Sequence, residues 1–201
     1  MKNIAIVPTI REKYFNQLEA CFDLRFYKLF SKIFKTFNLQ IITNEKKLKK
    51  YDLIVLTGGN ELENSENKKK LNNGDKERKK ISKKIIYKAL KLNIPIFGIC
   101  YGSQLIAQIY KSILAQKKHT KKHKVLINYQ KQKKQITVNS YHNTVIKKLG
   151  KDLKVIAVAH DKTIEAFKHK NKKIICVMWH PERNEKIFNF DKLLIKNVCK
   201  N

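Results

Sequence analysis

The chain has 201 residues, of which 42% are hydrophobic and 30% charged; this excludes a disordered protein and predicts a single domain over residues 1–201. Its 45 Lys and Arg residues outnumber its 16 Asp and Glu residues, and the resulting net charge of +29 suggests a nucleic-acid partner. Because we find no membrane-length apolar run, secretory segment or Cys-x-x-Cys pair, we expect a reduced, cytoplasmic protein with no membrane partner.

The first half of the chain alternates between strand-like and helix-like patterns. Short apolar runs predict strands at residues 4–7, 39–43, 53–56 and 94–99. Apolar spacings of three and four predict helices at residues 14–37, 79–92 and 102–110. This alternation predicts an α/β fold with a parallel sheet and helices on both faces. The polar stretch 61–78 is interpreted as an exposed loop.

The second half is mostly strand-like. The predicted strands, some joined as hairpins, are residues 125–129, 135–139, 153–160, 163–168 and 172–178. Residues 117–124 are interpreted as a basic turn, and residues 184–198 are predicted to form a closing helix.

A glycine-flanked cysteine is the sharpest motif in the sequence. Gly98-Ile-Cys100-Tyr-Gly102 follows a buried strand and precedes a helix, the arrangement of a nucleophile elbow with Cys in place of Ser. At the N-terminus of a helix the dipole favours the thiolate, and free backbone N–H groups there bind an oxyanion. The alternative is that Cys100 is a buried structural cysteine. The strand before it and the helix after it favour the nucleophile elbow over this alternative.

A cysteine nucleophile needs a base, and His180 is the best placed of the six histidines. It follows an apolar strand and precedes Pro181 and Glu182, so extended backbone geometry can put the imidazole and the carboxylate on one side of a turn. His119 and His123 have the i,i+4 spacing of metal ligands. Because five lysines lie among them, we interpret this segment as a solvated turn and expect no metal.

The third motif, Gly58-Gly59-Asn60, also follows an apolar strand. Two glycines allow close backbone approach to a ligand, which would supply a second oxyanion donor. All three motifs fall at the carboxyl ends of predicted strands, where open α/β sheets bind ligands.

Together these motifs resemble class I glutamine amidotransferase-type domains, and in detail the free-standing γ-glutamyl hydrolase branch of that superfamily. The matching segments are residues 58–60, 98–104, 138–142, 161–166 and 177–182. The resemblance implies a flavodoxin-like three-layer α/β/α sandwich with a mainly parallel central sheet and added β-hairpins in the second half. It implies no cofactor.

The resemblance also implies residue roles. Cys100 would be the nucleophile, His180 the general acid and base, and Glu182 the orienting carboxylate. The backbone N–H groups of Gly59 and Tyr101 would form the oxyanion hole. The remaining predicted substrate contacts are Gly58, Asn60, Gln104, Asn139, Ser140, Tyr141 and His142. For His142 the alternative is a structural role.

Two further segments, residues 19–25 and 74–78, resemble a subgroup of this branch found in bacterial capsule biosynthesis. That subgroup cleaves a γ-glutamyl-cytidine-diphosphate-amidate to glutamate and cytidine diphosphoramidate. The match adds Arg25 and Arg78 as candidate substrate contacts. Tyr101 departs from the subgroup, which has Arg after the nucleophile.

Three hypotheses follow. The leading one is hydrolysis of a small-molecule γ-glutamyl amide, with an anionic, nucleotide-linked substrate favoured by the positive charge. The second is a glutaminase subunit that delivers ammonia to a synthetase partner. The third, a nucleic-acid-binding protein, is disfavoured because the lysines are spread along the chain and do not form one aromatic-interleaved patch.

Overall fold

The computed structural model describes residues 1–14, 17–63 and 71–200. Its strands are β1 (Lys2–Val7), β2 (Thr9–Glu12), β3 (Leu18–Cys21), β4 (Phe37–Ile41), β5 (Leu53–Leu56), β6 (Ile96–Ile99), β7 (Ile113–His119), β8 (His123–Tyr129), β9 (Gln132–Val138), β10 (His142–Lys148), β11 (Leu153–Ala159), β12 (Ile164–His169) and β13 (Ile174–Val177). Its α-helices are α1 (Arg25–Ser31), α2 (Asn73–Lys91), α3 (Tyr101–Ile109) and α4 (Asn189–Val198).

Across the described residues, one sheet of eleven strands has a parallel half and an antiparallel half. The parallel half has the order β4-β1-β5-β6-β13, and the antiparallel half continues through β12, β11, β8 and β9. Strand β10 pairs with β12 and β7 beside this path. The predicted α/β class is therefore confirmed, with the hairpins of the second half extending the parallel sheet.

Helices pack on both faces of the parallel half. Ile4 and Ile6 of β1 belong to a buried cluster that includes apolar residues of α1 and α4. Ala5 and Val7, which point to the opposite face, pack in a second cluster with residues of α2 and α3. The alternation of strand side chains thus produces the expected three layers.

The predicted helix 14–37 is wrong at both ends. Leu18–Cys21 is strand β3, which pairs antiparallel with β2, the helix occupies only Arg25–Ser31, and Phe37 begins β4. Residues 15–16 of the predicted helix lie outside the described residues. The apolar side chains of Leu18, Ala20 and Phe22 also fit a period of two, and backbone pairing with β2 selects that period.

The predicted exposed loop 61–78 is wrong at its C-terminal end. Helix α2 begins at Asn73, and the Asn72 side chain caps it by accepting a hydrogen bond from the Asp75 N–H at 2.8 Å. Asp75 and Arg78 are buried. Residues 64–70 of that loop lie outside the described residues.

The basic turn predicted at 117–124 is shorter than expected, because β7 extends to His119 and β8 begins at His123. Strand β10, which the sequence did not predict, pairs with β7. Among the described helices, none combines the length and apolar character needed to cross a membrane.

Candidate active site

Cys100 lies in a strained turn between β6 and α3. Its φ of 48° and ψ of −103° are unfavourable for a residue with a side chain, and its N–H donates to the Val177 carbonyl at 2.9 Å. Gly102 permits the turn, since a Cβ there would lie 2.3 Å from the Leu56 carbonyl oxygen. The surrounding fold therefore holds the thiol at the N-terminus of α3.

His180 immediately beyond β13 faces this thiol. Its Nδ1 lies 2.7 Å from Oε1 of Glu182, and both side chains are buried. Burial lowers the pKa of His180, but hydrogen bonds to Cys100 and Glu182 outweigh burial and raise that pKa to about 9. The structure thus brings the three predicted catalytic residues together, with the imidazole favoured in its charged form.

Asn139 fixes the backbone of His180. Its Nδ2 donates to the His180 carbonyl at 2.9 Å, and its Oδ1 accepts from the His180 N–H at 2.8 Å. A further bond of 2.7 Å joins Nδ2 to Oδ1 of Asn184. Because these bonds occupy its side-chain amide, Asn139 positions the backbone that carries the His180 imidazole. The sequence had instead predicted that Asn139 contacts substrate.

Gly58 leaves room for the side chains of Cys100 and His180, and Gly59 leaves room for that of Thr9. A Cβ on Gly58 would lie 2.5 Å from Cε1 of His180 and 3.3 Å from Cβ of Cys100. Gly59 has a φ of +119°, and a Cβ there would lie 2.3 Å from Oγ1 of Thr9.

Asn60 joins this glycine turn to strand β2. Its Oδ1 accepts from the Ile10 N–H at 3.0 Å, and its Nδ2 donates to the Ile10 carbonyl at 2.7 Å and to Asp75 at 3.0 Å. Because these hydrogen bonds occupy the side chain of Asn60 within the protein, Asn60 supports the wall of the cavities that it lines.

The two predicted oxyanion donors are the backbone N–H groups of Tyr101, which follows Cys100 in the chain, and of Gly59. Tyr101 is the first residue of α3, so its backbone N–H has no acceptor within the helix. Gly59 lines the cavity that contains Cys100. Their role as an oxyanion hole remains a prediction.

Two adjoining cavities meet at His180. The smaller, of about 360 Å³, is lined by Cys100, Gln104 and Tyr141, among others. The larger, of about 780 Å³, extends along the β2–β3 hairpin and the N-terminal end of α2. Gly59, Asn60, Glu61, His180 and Arg183 line both cavities.

Three of the other predicted substrate residues, Gln104, Tyr141 and His142, line the smaller cavity, whereas Ser140 does not. Gln104 donates from Nε2 to the Thr144 carbonyl at 3.0 Å. Tyr141 is half-exposed, and its ring meets the His180 ring edge-on at 5.5 Å. His142 lines the same cavity but is buried, and the Ser140 hydroxyl donates to the His119 carbonyl.

Neither predicted arginine contact lines either of these two cavities. Arg78 is fully buried, donates to the carbonyl and hydroxyl of Thr57, and lies over the Tyr101 ring at 5.2 Å. Burial lowers the pKa of Arg78 to about 10. Arg25 is held by the Asp23 carboxylate, with the shortest contact at 2.6 Å. Direct contact of these two arginines with substrate therefore finds no support in this structure.

Arg183 is a cavity residue that the sequence reasoning missed. Its guanidinium lies 4.8 Å from the centre of the Tyr141 ring, and its Nε lies 3.7 Å from Oε1 of Glu182. The signal was available, because Arg183 directly follows the His-Pro-Glu motif on the same turn.

The interpretation of His119 and His123 as a solvated turn is wrong. Their side chains are only 12% and 23% exposed, and both rings face the buried carboxylate of Glu165. Each histidine belongs to a strand, and the adjacent lysines point outward, which sequence spacing alone did not reveal.

Residues 23–197 match the family model of class I glutamine amidotransferases, and the chain belongs to this family of enzymes. A γ-glutamyl-CDP-amidate hydrolase of Campylobacter jejuni is 35% identical over 185 residues, covering 89% of this chain and 88% of that protein. A GMP synthase of the same species is 32% identical over 116 residues, covering 54% of this chain and 22% of that protein.

The fold is also shared with solved structures. A Thermoplasma acidophilum protein assigned as a GMP synthase subunit superposes with a TM-score of 0.74 at 22% identity, over 99% of this chain and 92% of that chain. A Thermotoga maritima glutamine amidotransferase superposes with a TM-score of 0.66 at 19% identity, over 90% of this chain and 76% of that chain. These similarities confirm the predicted fold.

The charge on His180 gives a pH-dependent prediction. Because the pKa of His180 is raised from 6.5 to about 9, protonated His180 stabilises the folded protein fully below about pH 6.5. This contribution to the free energy of unfolding is lost as the pH rises through about 9. Replacing Glu182 by Gln removes one cause of the increase, so we expect the pKa of His180 to fall. Histidine NMR titration measures this, with His160→Gln as the exposed control. Wild-type His180 titrating near 6.5 would contradict the prediction.

The space at Gly58 gives a second prediction. A methyl group in Gly58→Ala must displace the imidazole of His180, because its Cβ would lie 2.5 Å from Cε1. We expect a folded protein whose Cys100 is alkylated by iodoacetamide with an altered rate and pH profile. Unchanged alkylation kinetics would show that the thiol–imidazole contact does not depend on this glycine.

Proposed function

We propose that this protein hydrolyses γ-glutamyl amides that carry a large leaving group, using Cys100, His180 and Glu182. The observation that carries the proposal is the pair of cavities that share His180. The smaller contains the thiol and suits a γ-glutamyl group, whereas the larger adds about 780 Å³, which glutamine and ammonia would not need.

The reaction would proceed in two steps. The Cys100 thiolate attacks the γ-carbonyl carbon, the C–N bond breaks, and protonated His180 gives its proton to the leaving nitrogen. Water then attacks the thioester carbon with His180 as base, releasing glutamate and the free thiol. Backbone N–H groups of Gly59 and Tyr101 would stabilise the oxyanion in both steps.

The family relationship and the charge favour an anionic leaving group. The Campylobacter relative acts on γ-glutamyl-CDP-amidate, and the match covers most of both chains. Arg11 and Arg183 line the larger cavity beside five carboxylates, those of Glu12, Asp23, Glu61, Asp75 and Glu182, so attraction of an anion would come from the net charge of +29 of the whole chain. We therefore propose a nucleotide-linked γ-glutamyl amidate as substrate, cleaved to cytidine diphosphoramidate for capsule modification in the cytoplasm.

A second candidate is a glutaminase subunit that passes ammonia to a synthetase. The GMP synthase relatives favour it, including a separate glutamine-hydrolysing subunit from Methanococcus vannielii that is 31% identical over 56% of this chain and 62% of that protein. Both candidates use the same thiol and imidazole, so substrate choice and partner dependence distinguish them.

A panel of γ-glutamyl compounds tests the proposal. We expect kcat/KM for nucleotide-linked γ-glutamyl amidates to exceed that for glutamine by more than about tenfold, since only the former fill both cavities. Mass spectrometry of the products reports the leaving group. Equal kcat/KM for glutamine, or turnover that appears only with a synthetase present, would favour the second candidate.

The matched control concerns the thiol. Cys100→Ala should remain folded and lose at least about a thousandfold in kcat, because the covalent step is removed. Cys199→Ala, which changes a cysteine outside both cavities, should retain activity. Turnover by Cys100→Ala close to that of wild type would refute the mechanism.

A further inference from the structure

Three histidines surround the buried carboxylate of Glu165. Oε1 of Glu165 lies 3.3 Å from Nδ1 of His119, 3.4 Å from Nε2 of His123 and 3.7 Å from Nε2 of His142. The four residues come from β12, β7, β8 and β10 respectively. Side-chain exposure is 1% for Glu165 and 2% for His142, so the cluster is closed to solvent on that side.

The separations of the histidine nitrogens from Oε1 of Glu165 are close to those between neighbouring ligands of a tetrahedral metal site. Zinc is bound by imidazole nitrogen and carboxylate oxygen at about 2.0–2.2 Å, and tetrahedral geometry then places donor atoms about 3.3–3.6 Å apart. Donor atoms of His119, His142 and Glu165 all lie within 4.8 Å of one another, so these three residues form the candidate ligand set. Nε2 of His123 lies beside this set, 3.4 Å from Oε1 of Glu165.

The outer ring nitrogens are already engaged. Nε2 of His119 lies 2.9 Å from Oδ2 of Asp161, and Nδ1 of His123 lies 3.2 Å from the Lys121 carbonyl. An acceptor at the outer nitrogen draws the N–H there and leaves a lone pair on the nitrogen that faces Glu165. A neutral imidazole of this tautomer presents a lone pair to a metal ion at the centre, whereas a charged imidazole donates an N–H to Glu165.

Several atoms in the cluster also lack partners. Both ring nitrogens of His142, Oε2 of Glu165 and Nε2 of His123 are buried without a hydrogen bond among the described residues. Buried polar atoms are nearly always satisfied, so this concentration of unsatisfied donors and acceptors points to a ligand. Lys121 and the other nearby lysines are exposed, so water screens their charge from the centre.

We propose that His119, His142 and Glu165 bind one divalent transition-metal ion of the zinc type, with His123 beside them. Imidazole nitrogen and carboxylate oxygen are ligands that such ions prefer, and three protein ligands leave one tetrahedral position open. The metal would join strands β7, β10 and β12 behind the smaller cavity. Because His142 directly follows Tyr141, which lines that cavity, the ion would fix the segment that forms one wall of the active site.

The proposal is tested with full-length, untagged protein that has been treated with a chelator and dialysed. All variants are made in a Cys100→Ala background, so that Zn²⁺ cannot bind between the Cys100 thiol and His180. Zn²⁺ is titrated by calorimetry, and Co²⁺ is then added to record the visible absorption that marks tetrahedral coordination. Neither readout depends on enzymatic activity, so this test is independent of the proposed reaction.

We expect one equivalent of Zn²⁺ per chain and a tetrahedral Co²⁺ spectrum. Glu165→Gln and His119→Ala should each weaken Zn²⁺ binding by more than about tenfold. His160→Gln, which removes an exposed histidine outside the cluster, should leave binding unchanged. Absence of stoichiometric binding by the parent protein, or equal affinity in Glu165→Gln and His160→Gln, would overturn the proposal.

Discussion

Parallel pairing of β6 with β13 positions the chemistry of this protein. Ile99 lies opposite Val177, so the two strands end at the same level. Cys100 and His180 follow these ends by one and three residues, and the Cys100 N–H donates to the Val177 carbonyl. The proposed nucleophile and base, 80 positions apart in the sequence, are thereby set side by side by two buried strands, consistent with ligand sites at the carboxyl ends of parallel sheets.

Short-range constraints then complete the arrangement around His180. Glu182 orients the ring from the following turn, Asn139 holds the backbone from both sides, and Gly58 leaves the space that the ring occupies. Together these contacts position the imidazole beside Cys100. The larger cavity extends from the same ring, so under the proposed function substrate size and catalysis would be linked at one side chain.

The parallel half of the fold and the three catalytic candidates could be predicted from the sequence because they depend on local patterns. Buried strands such as β5 are continuous apolar runs, and the elbow carries its glycines within two residues of Cys100. The β2–β3 hairpin could not be predicted in this way, since its pairing depends on tertiary contacts that override an ambiguous apolar spacing. The wall that forms the larger cavity therefore became visible only in the folded chain.

Long-range contacts also explain why three residues predicted to contact substrate instead bind other parts of the protein. Asn139, Asn60 and Arg78 carry polar groups suited to a substrate, yet the structure uses those groups on His180, Ile10 and Thr57. The histidines near Glu165 were misinterpreted for a related reason. Four strands converge on that carboxylate, and a spacing of four along one segment does not report the convergence.

Peptide mapping of an acid-quenched reaction tests the central claim most directly. Wild-type protein mixed with a γ-glutamyl substrate should carry one γ-glutamyl group on the peptide containing Cys100, and His180→Ala should accumulate none. A γ-glutamyl adduct on a different cysteine, or full turnover with Cys100 never modified, would contradict the account.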